Sequence, residues 1–313
     1  MRDMRDVTIV GGGPIGLFGL YCAGLHHLKA ALLERLDRVG GQLEHLYPEK
    51  PIYDVGGFPS ITGRQLVQQL KQQALQYPAD VLTGVEARGL QEIPGGYRVE
   101  TSQGPVDTRV LVLTAGIGEF IPRRLNVAAV DQFEGRGLYY VVHDLSEFDG
   151  KRVLVVGGGD SAADWAMALA NRASHVTMIH RRDQFQCHVD SQAKLQAHPR
   201  VTLLPNRTLN AVFGRDSVES AQLQFSDGSV VPDLLDVDRI IVAIGLLPGT
   251  AIFHEWGLQM DGHEIRVGTD MSTTMPGVFA AGDICTYPGK VKLIAAGFGE
   301  VATAVEASLH YLG

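Results

Sequence analysis

A glycine-rich segment near the N-terminus places the strongest constraint on how this chain can fold. Residues 7–10 are typical of a β-strand, and Gly11, Gly13 and Gly16 follow with the spacing G-x-G-x-x-G. An apolar segment with helical character, residues 17–28, comes next. In a strand–turn–helix unit the first glycine permits the tight turn, and the second lets a pyrophosphate approach the backbone. The third lets the helix pack closely on the strand. The segment therefore predicts a dinucleotide site.

The residues that follow strengthen this prediction. A second strand, residues 30–33, ends at Glu34. The carboxylate that binds ribose hydroxyls in this fold stands about 20 residues beyond the glycines, which is where Glu34 lies. Pro14, inside the turn, belongs to the predicted site. The alternative is a glycine-rich turn that binds nothing.

Composition narrows the class of protein. The 313 residues allow about two domains. The cysteines Cys22, Cys187 and Cys285 lie far apart and form no C-x-x-C, as expected in the reducing cytoplasm. No apolar run is long enough to predict a membrane span. The net charge of -8 argues against general nucleic-acid affinity, and we expect no metal site.

An irregular stretch, residues 45–59, is rich in proline and glycine and is expected to form an ordered loop. Such loops lie over the carboxyl ends of strands, where α/β folds bind ligands. Gln42, Tyr47 and Asp54 are the side chains expected at a cofactor. Alternatively, Tyr47 and Tyr53 only anchor the loop to the core. Thr62 is expected to cap a helix from about residue 63 to residue 77.

The strand–turn–helix pattern recurs in the second half of the chain. A strand at 151–156 leads into a second glycine turn that fits G-x-G-x-x-A, and a helix and a strand at 175–179 follow. Two copies of one nucleotide-binding plan predict two nucleotide sites. The residues expected at the second site are Gly157, Gly159, Asp160, Ser161 and Ala162.

The order of elements predicts an α/β fold with two Rossmann-like nucleotide-binding domains. Each has a parallel sheet and carries a small antiparallel β-meander, at residues 79–109 and 201–231. A late strand at 277–282 returns to the first domain, which is therefore discontinuous. The expected bounds are 1–115 with 246–313 for the first domain and 116–245 for the second.

The two copies differ where the second strand ends. The first copy has Glu34 there, and the second has His180, Arg181 and Arg182. A carboxylate accepts hydrogen bonds from ribose hydroxyls and repels a 2′-phosphate, whereas guanidinium groups bind that phosphate. The second site is expected to prefer NADPH, and the first a dinucleotide without a 2′-phosphate. The alternative for the arginines is an exposed basic surface.

The late strand ends in Asp283, and residues 295–300 lead into the last helix. A carboxylate at a strand end can bond a ribityl hydroxyl while a helix dipole faces an electron-accepting ring. The alternative for Asp283 is a simple turn or a helix cap.

With these motifs in view, nearly the whole chain resembles the thioredoxin-reductase-like flavoproteins, and in particular their ferredoxin/flavodoxin–NADP(+) reductases. The resemblance is most specific in residues 41–43, 46–50, 52–55, 158–162, 180–183 and 291–295. It implies a homodimer with two cofactors, FAD bound by the first domain and NADPH bound by the second. Arg181 and Arg182 would receive the 2′-phosphate, and Tyr47 would stack on the isoalloxazine. The residues that the resemblance places at FAD are Glu34, Gln42, Tyr47, Val85, Phe120 and Asp283.

The resemblance also indicates where electrons go. Thioredoxin reductases carry C-x-x-C just before the second glycine motif, but residues 138–145 contain no cysteine. Electrons from NADPH would then leave directly from the flavin to ferredoxin or flavodoxin. The flavin performs hydride transfer, so no catalytic side chain is expected. Those carriers are acidic, so docking would need a basic patch. The cations considered for it are Arg64, Arg123, Arg124, Lys290 and Lys292, or these are merely solvated charges.

Two other functions stay open. An NAD(P)H oxidase or quinone reductase of the same fold is favoured by the chain's ending at Gly313, without the tail that the family's reductases place over the flavin. A flavin-binding redox sensor without sustained turnover is the alternative from another class.

Overall fold

The computed structural model describes residues 4–46, 48–118, 121–247 and 249–313. The chain divides into two compact units. The first unit comprises Met1–Pro48, Ile52–Ile121 and Leu247–Gly313, and the second comprises Glu49–Pro51 and Pro122–Leu246. The expected bounds, and the assignment of the domains to FAD and NADP(H), stay a prediction.

Strands and helices alternate along the chain. The strands up to residue 113 are β1 Arg5–Val10, β2 Ala30–Glu34, β3 Pro51–Ile52, β4 Ile61–Thr62, β5 Asp80–Thr83, β6 Ala87–Ile93, β7 Gly96–Thr101 and β8 Val106–Leu113. Those up to residue 247 are β9 Ile121–Pro122, β10 Leu138–Tyr139, β11 Arg152–Val156, β12 His175–Ile179, β13 Val201–Leu204, β14 Arg207–Phe213, β15 Ser220–Phe225, β16 Val230–Asp236, β17 Arg239–Val242 and β18 Leu246–Leu247. The last are β19 Met260–Asp261, β20 Glu264–Arg266, β21 Val278–Ala280 and β22 Cys285–Thr286. The helices are α1 Pro14–Leu25, α2 Gln42–His45, α3 Gly63–Ala74, α4 Asp160–Ala170, α5 Val189–Ala197, α6 Ala251–Glu255 and α7 Ile294–Ser308.

The first unit is built on a sheet in which β5, β2, β1 and β8 run parallel in that order. The meander β6–β7 extends this sheet antiparallel to β8, and β21 pairs parallel to β8. All five residues of β2 are buried. Strands covered on both faces read as continuous apolar runs, which explains the sequence pattern.

The second unit repeats the plan with a fully parallel sheet, in the order β10-β17-β11-β12-β13. Its meander, β14-β15-β16, forms a separate antiparallel sheet. The predicted α/β fold, with parallel sheets and an antiparallel meander in each half, is confirmed. The predicted meander ranges were too wide, because each begins with a strand, β5 or β13, that belongs to the parallel sheet.

A local capping signal fixes the start of α3. The Thr62 side chain accepts a hydrogen bond from the Gln65 backbone N–H, and the Gln65 side chain accepts one from the Thr62 N–H, both at 3.2 Å. This capping box satisfies two amides that the first turn leaves unpaired. The predicted cap at Thr62 is confirmed, and the helix ends at Ala74, earlier than expected.

Candidate functional site: two glycine turns at strand ends

The first glycine turn connects β1 to α1, and the neighbouring backbone leaves no room for a Cβ at two of its glycines. Gly11 has a φ of +110°, and a Cβ there would lie 2.6 Å from the Thr114 carbonyl oxygen. A Cβ on Gly16 would lie 1.9 Å from the Gly11 carbonyl oxygen. Gly13 has nothing within 4 Å of the position of a Cβ. The turn and packing roles predicted for Gly11 and Gly16 are therefore present, and the space beside Gly13 suits an anion at the start of α1.

Glu34 ends β2 beside this turn. The side chain is buried, its Oε2 accepts a hydrogen bond from the Gly12 N–H at 2.8 Å, and its Oε1 accepts one from the Leu36 N–H at 2.8 Å. An ionised carboxylate has about four acceptor positions, so each oxygen can still accept a further hydrogen bond. The structure thus holds Glu34 in one orientation and leaves acceptor capacity for ribose hydroxyls.

Two consecutive glycines, which no predicted motif includes as a pair, close over the turn. Gly40 and Gly41 both have positive φ, +122° and +54°. The Gly40 N–H donates to the Gly12 carbonyl at 2.8 Å, and a Cβ on Gly41 would lie 3.0 Å from the Gly13 Cα. Gln42 begins α2 directly afterwards. Paired glycines after the second strand are the signal that could have revealed this contact.

The other residues predicted at the first site have mixed outcomes. Asp54 Oδ2 accepts a hydrogen bond from the Ile294 N–H at 2.8 Å, so this side chain holds the first turn of α7. Val85 is buried, and its N–H donates to the Glu34 carbonyl at 2.9 Å. Tyr47 and Phe120 lie outside the described residues. Cofactor contact by these four side chains stays a prediction.

Asp283 follows β21 in a 3₁₀ turn, Gly282–Ile284. Its half-buried carboxylate accepts no hydrogen bond from the residues that the structure describes. Burial raises the pKa of Asp283, and the positive charges of Lys292 and Lys290 act in the opposite direction. A half-buried carboxylate whose acceptor positions are not filled by the protein can accept a hydrogen bond from a ligand hydroxyl. It does not cap α7, because Asp54 does.

The second glycine turn connects β11 to α4 with the same steric plan. Gly157 has a φ of +151°, and a Cβ there would lie 2.2 Å from the Ala243 carbonyl oxygen. A Cβ on Gly158 would lie 2.2 Å from the His180 ring, and Gly159 has open space. The turn therefore needs glycine at its first two positions and offers room at the third.

Three residues follow β12 beside this turn. His180 is buried, its ring centroid lies 5.6 Å from that of Phe185, and its Nε2 has no hydrogen-bond partner among the described residues. Burial lowers the pKa of His180, and the charges of Arg182 and Arg181 lower it further. Arg181 and Arg182 are exposed, while their backbone carbonyls accept hydrogen bonds from the Ser226 hydroxyl and from the Asn206 N–H. Because hydrogen bonds fix the backbone of Arg181 and Arg182 and their guanidinium groups are exposed, this segment is suited to bind a phosphate.

The segment after the arginines folds back across the turn. The Gln186 N–H donates to the Gly158 carbonyl at 2.6 Å. Asp160, the first residue of α4, accepts a hydrogen bond from the His188 N–H at 2.8 Å. Ser161 is exposed and Ala162 is buried. The contact between 186–188 and the turn is non-local, so no local pattern predicts it.

One proposal for docking is wrong. Lys290 does not belong to an exposed basic patch, because its side chain is only 6% exposed and lies in an ion pair with Glu300. Lys292 pairs with Glu264, and Arg124 pairs with Glu134. Within the described ranges, no group of three or more His, Cys, Asp or Glu residues could hold a metal ion. Nor does any helix in those ranges have the length and apolar character needed to cross a membrane.

Comparison with known proteins gives the family. Residues 5–308 match the model of the pyridine nucleotide-disulphide oxidoreductase family. A ferredoxin–NADP reductase of Halalkalibacterium halodurans is 43% identical over 305 residues, which are 97% of this chain and 92% of the relative. A ferredoxin–NADP reductase of Enterococcus faecalis is 42% identical over 312 residues, 99% of this chain and 93% of the relative.

Solved structures agree with this result. The thioredoxin reductase of T. acidophilum superposes with a TM-score of 0.86 at 25% identity, over 99% of both chains. That of Lactococcus lactis also gives 0.86, at 23% identity over 98% of this chain and 99% of the other. Fold and site define a two-domain α/β oxidoreductase of the thioredoxin-reductase-like type, as predicted. The chain belongs to the pyridine nucleotide-disulphide oxidoreductase family.

Proposed function

We propose that this protein is an FAD-dependent oxidoreductase that passes electrons from NADPH through the flavin to ferredoxin or flavodoxin. The observation that carries the proposal is the contrast between the two turns. Glu34 ends the second strand of the first copy, and His180 with Arg181 and Arg182 follows that of the second. The relatives named ferredoxin–NADP reductase, 38–43% identical over nearly the full chain, support the activity and the use of flavin and NADP(H).

The residues of the first unit fit FAD. The space beside Gly13 would take the pyrophosphate at the start of α1, and Glu34 would accept hydrogen bonds from the ribose hydroxyls. Asp283, a half-buried carboxylate without a donor among the described residues, would accept a hydrogen bond from a ribityl hydroxyl. These three features lie at the carboxyl ends of β1, β2 and β21, where α/β sheets bind ligands.

The residues of the second unit fit NADPH. The space beside Gly159 would take the pyrophosphate, and Arg181 and Arg182 would bind the 2′-phosphate through charge-assisted hydrogen bonds. Ser161 and the backbone at the start of α4 would contribute donors to the pyrophosphate. The pattern of charges supports NADPH rather than NADH.

FAD, when bound, supplies the redox chemistry, because it links two-electron hydride acceptance to one-electron release. The protein binds and orients the two nucleotides, and we assign no acid–base side chain. The cysteines support direct release from the flavin. Burial raises the pKa of Cys22 to about 11 and that of Cys285 to about 12, so both stay protonated thiols at neutral pH. Cys187 lies far from both in the sequence and forms no C-x-x-C with either of them.

The finer properties follow from the family resemblance. We propose a homodimer that works in the cytoplasm with an acidic electron carrier as its partner. Because this protein has a net charge of -8, docking of an acidic carrier would need a local basic patch on the protein's surface.

A panel of electron acceptors tests the function. Purified protein is assayed with NADPH and with NADH against ferredoxin coupled to cytochrome c, flavodoxin, a quinone and oxygen. We expect a yellow protein that reduces cytochrome c only when ferredoxin or flavodoxin is present, and faster with NADPH. Rapid turnover with quinone or oxygen alone would identify an oxidase or quinone reductase, and no sustained turnover would favour a redox sensor.

A further inference from the structure

A buried ion pair lies directly behind the turn that carries Asp283. Lys290 Nζ lies 2.5 Å from Glu300 Oε1 and 2.6 Å from Oε2, and the two side chains are 6% and 4% exposed. Burying two charges costs free energy that the ion pair recovers only with good geometry and further hydrogen bonds. The further bonds of this pair show what it holds.

Both polar backbone groups of Gly282 bind to the Lys290–Glu300 pair. The Gly282 N–H donates to Glu300 Oε2 at 2.8 Å, and Lys290 Nζ donates to the Gly282 carbonyl at 3.0 Å. Gly282 has a φ of +82°, a conformation that other residues rarely adopt. The pair thus fixes both peptide groups of the residue immediately before Asp283.

The same pair is connected to the first glycine turn. Glu300 lies on α7, one turn beyond Gly297. A Cβ on Gly297 would lie 2.5 Å from Ile15 Cδ1, and one on Gly282 would lie 3.1 Å from Ile15 Cγ1. Ile15 is the second residue of α1. The Gly282 turn, α7 and the start of α1 therefore pack together, and the pair fixes the position of Asp283 relative to the turn beside Gly13.

The Glu300 carboxylate also accepts a hydrogen bond from a tyrosine. The Tyr287 hydroxyl donates to Glu300 Oε1 at 2.7 Å. The hydrogen bond to Glu300 contributes most to the raised pKa of Tyr287, about 12, so the phenol stays a donor. The Cys285 thiol also donates to Glu300 Oε2, at 3.8 Å. With Lys290, Gly282, Tyr287 and Cys285 bound, Glu300 is fully used by the protein and acts through Gly282 rather than on a ligand.

We propose that the Lys290–Glu300 pair is the positioning element that presents Asp283 to the ribityl chain of FAD. This inference rests on the proposed function, because it takes FAD as the ligand. The pair would set FAD affinity through the backbone of Gly282. Removing the pair would remove most of the contribution of Asp283 to binding, even with Asp283 present.

A double-mutant cycle on FAD affinity tests the proposal. The FAD-free full chain is titrated with FAD, and the dissociation constant is read from flavin fluorescence. Asp283→Asn is made in the wild type and in a Lys290→Met, Glu300→Leu chain. We expect Asp283→Asn to raise the dissociation constant about tenfold in the wild type and less than about twofold in the double variant, because positions that act through one another are not additive.

Controls separate positioning from general loss of stability. Arg98 and Asp107 form a partly buried ion pair between β7 and β8, so Arg98→Met with Asp107→Leu is the matched variant. In that chain Asp283→Asn should keep its full effect. If the Lys290→Met, Glu300→Leu chain does not fold, Lys290→Met with Glu300→Gln replaces it, since the glutamine side chain keeps an acceptor for the Gly282 N–H. This chain still lacks the hydrogen bond from Lys290 to the Gly282 carbonyl, so Asp283→Asn should have a smaller effect in it than in the wild type.

The outcomes are distinct. An equal effect of Asp283→Asn with and without the pair would overturn the inference, as would no effect in the wild type. Failure of the wild-type chain to bind FAD would instead overturn the proposed function. Thermal unfolding of each FAD-free variant shows whether the chains being compared are folded.

Discussion

The two glycine turns of this molecule share one backbone plan and differ at one strand end. In the first, Val10 pairs with Leu33, and in the second, Val156 pairs with Ile179. Glu34 and His180 therefore occupy equivalent positions. The first glycine of each turn packs against an equivalent carbonyl, that of Thr114 or Ala243. Sterics thus dictate the turn itself in both copies.

The difference lies in how the strand-end side chain meets the turn. Glu34 accepts a hydrogen bond from the Gly12 N–H, whereas the His180 ring lies against Gly158, with Nε2 unpaired among the described residues. A carboxylate in the first copy is replaced by an imidazole followed by two arginines in the second. The comparison shows that the glycines of both turns leave open space at the strand end, and under the proposed function the side chains at that strand end would select the charge of the dinucleotide.

The largest expected effect concerns the last small residue of each glycine motif, which is Gly16 in the first copy and Ala162 in the second. Gly16→Ala puts a methyl group 1.9 Å from the Gly11 carbonyl oxygen. Because α1 must then move from β1, we expect the free energy of unfolding to fall by about 3 kcal/mol and FAD to be lost on purification. Urea unfolding and the flavin absorbance measure both.

The matched variant in the other copy is Ala162→Gly. It removes a methyl group from a helix and should lower the free energy of unfolding by only about 1 kcal/mol, with FAD retained. Equal losses for the two variants would show that the turns are not sterically different at this position.

The next effect tests charge selection. Replacing both Arg181 and Arg182 by Ala should raise the KM for NADPH roughly 100-fold and change the KM for NADH less than about twofold, because only NADPH carries the phosphate that these groups would bind. Steady-state kinetics with both nucleotides measure this. Arg172→Ala, which removes an exposed arginine paired with Asp149, is the control. Equal changes for the two nucleotides would refute the assignment.

The smallest expected effect is a pH dependence of stability that arises from His180 in the second copy. The pKa of His180 is lowered from its ordinary value of 6.5 by burial and by two nearby arginines. Below pH 6.5 His180 is protonated in the unfolded chain, whereas in the folded chain it stays neutral until the pH reaches its lowered pKa. The contribution of His180 to stability is therefore present above pH 6.5 and decreases as the pH falls through the lowered pKa.

His180→Gln should remove this part of the pH dependence. Urea unfolding of both chains at about pH 8 and about pH 5 should show a larger loss of stability in the wild type. The same loss in both chains would mean that His180 accepts a proton freely in the folded protein.

The sequence alone determined the features that depend on near neighbours. The glycine spacings, the apolar runs and the capping residue Thr62 act within a few residues, so they predicted two strand–turn–helix copies. The acidic and basic strand ends and the absence of C-x-x-C were equally readable, and they led to the family.

Only the tertiary structure decided which distant groups meet. Asp54 holds the first turn of α7 across 240 residues, and Lys290, which the sequence offered as a surface charge, is buried against Glu300. The sequence placed three residues, His180 to Arg182, opposite Glu34, and the register of β11 and β12 showed that His180 is the one in the equivalent position. Such contacts depend on how separate segments pack, because burial and pairing are properties of the assembled core and no local pattern carries them.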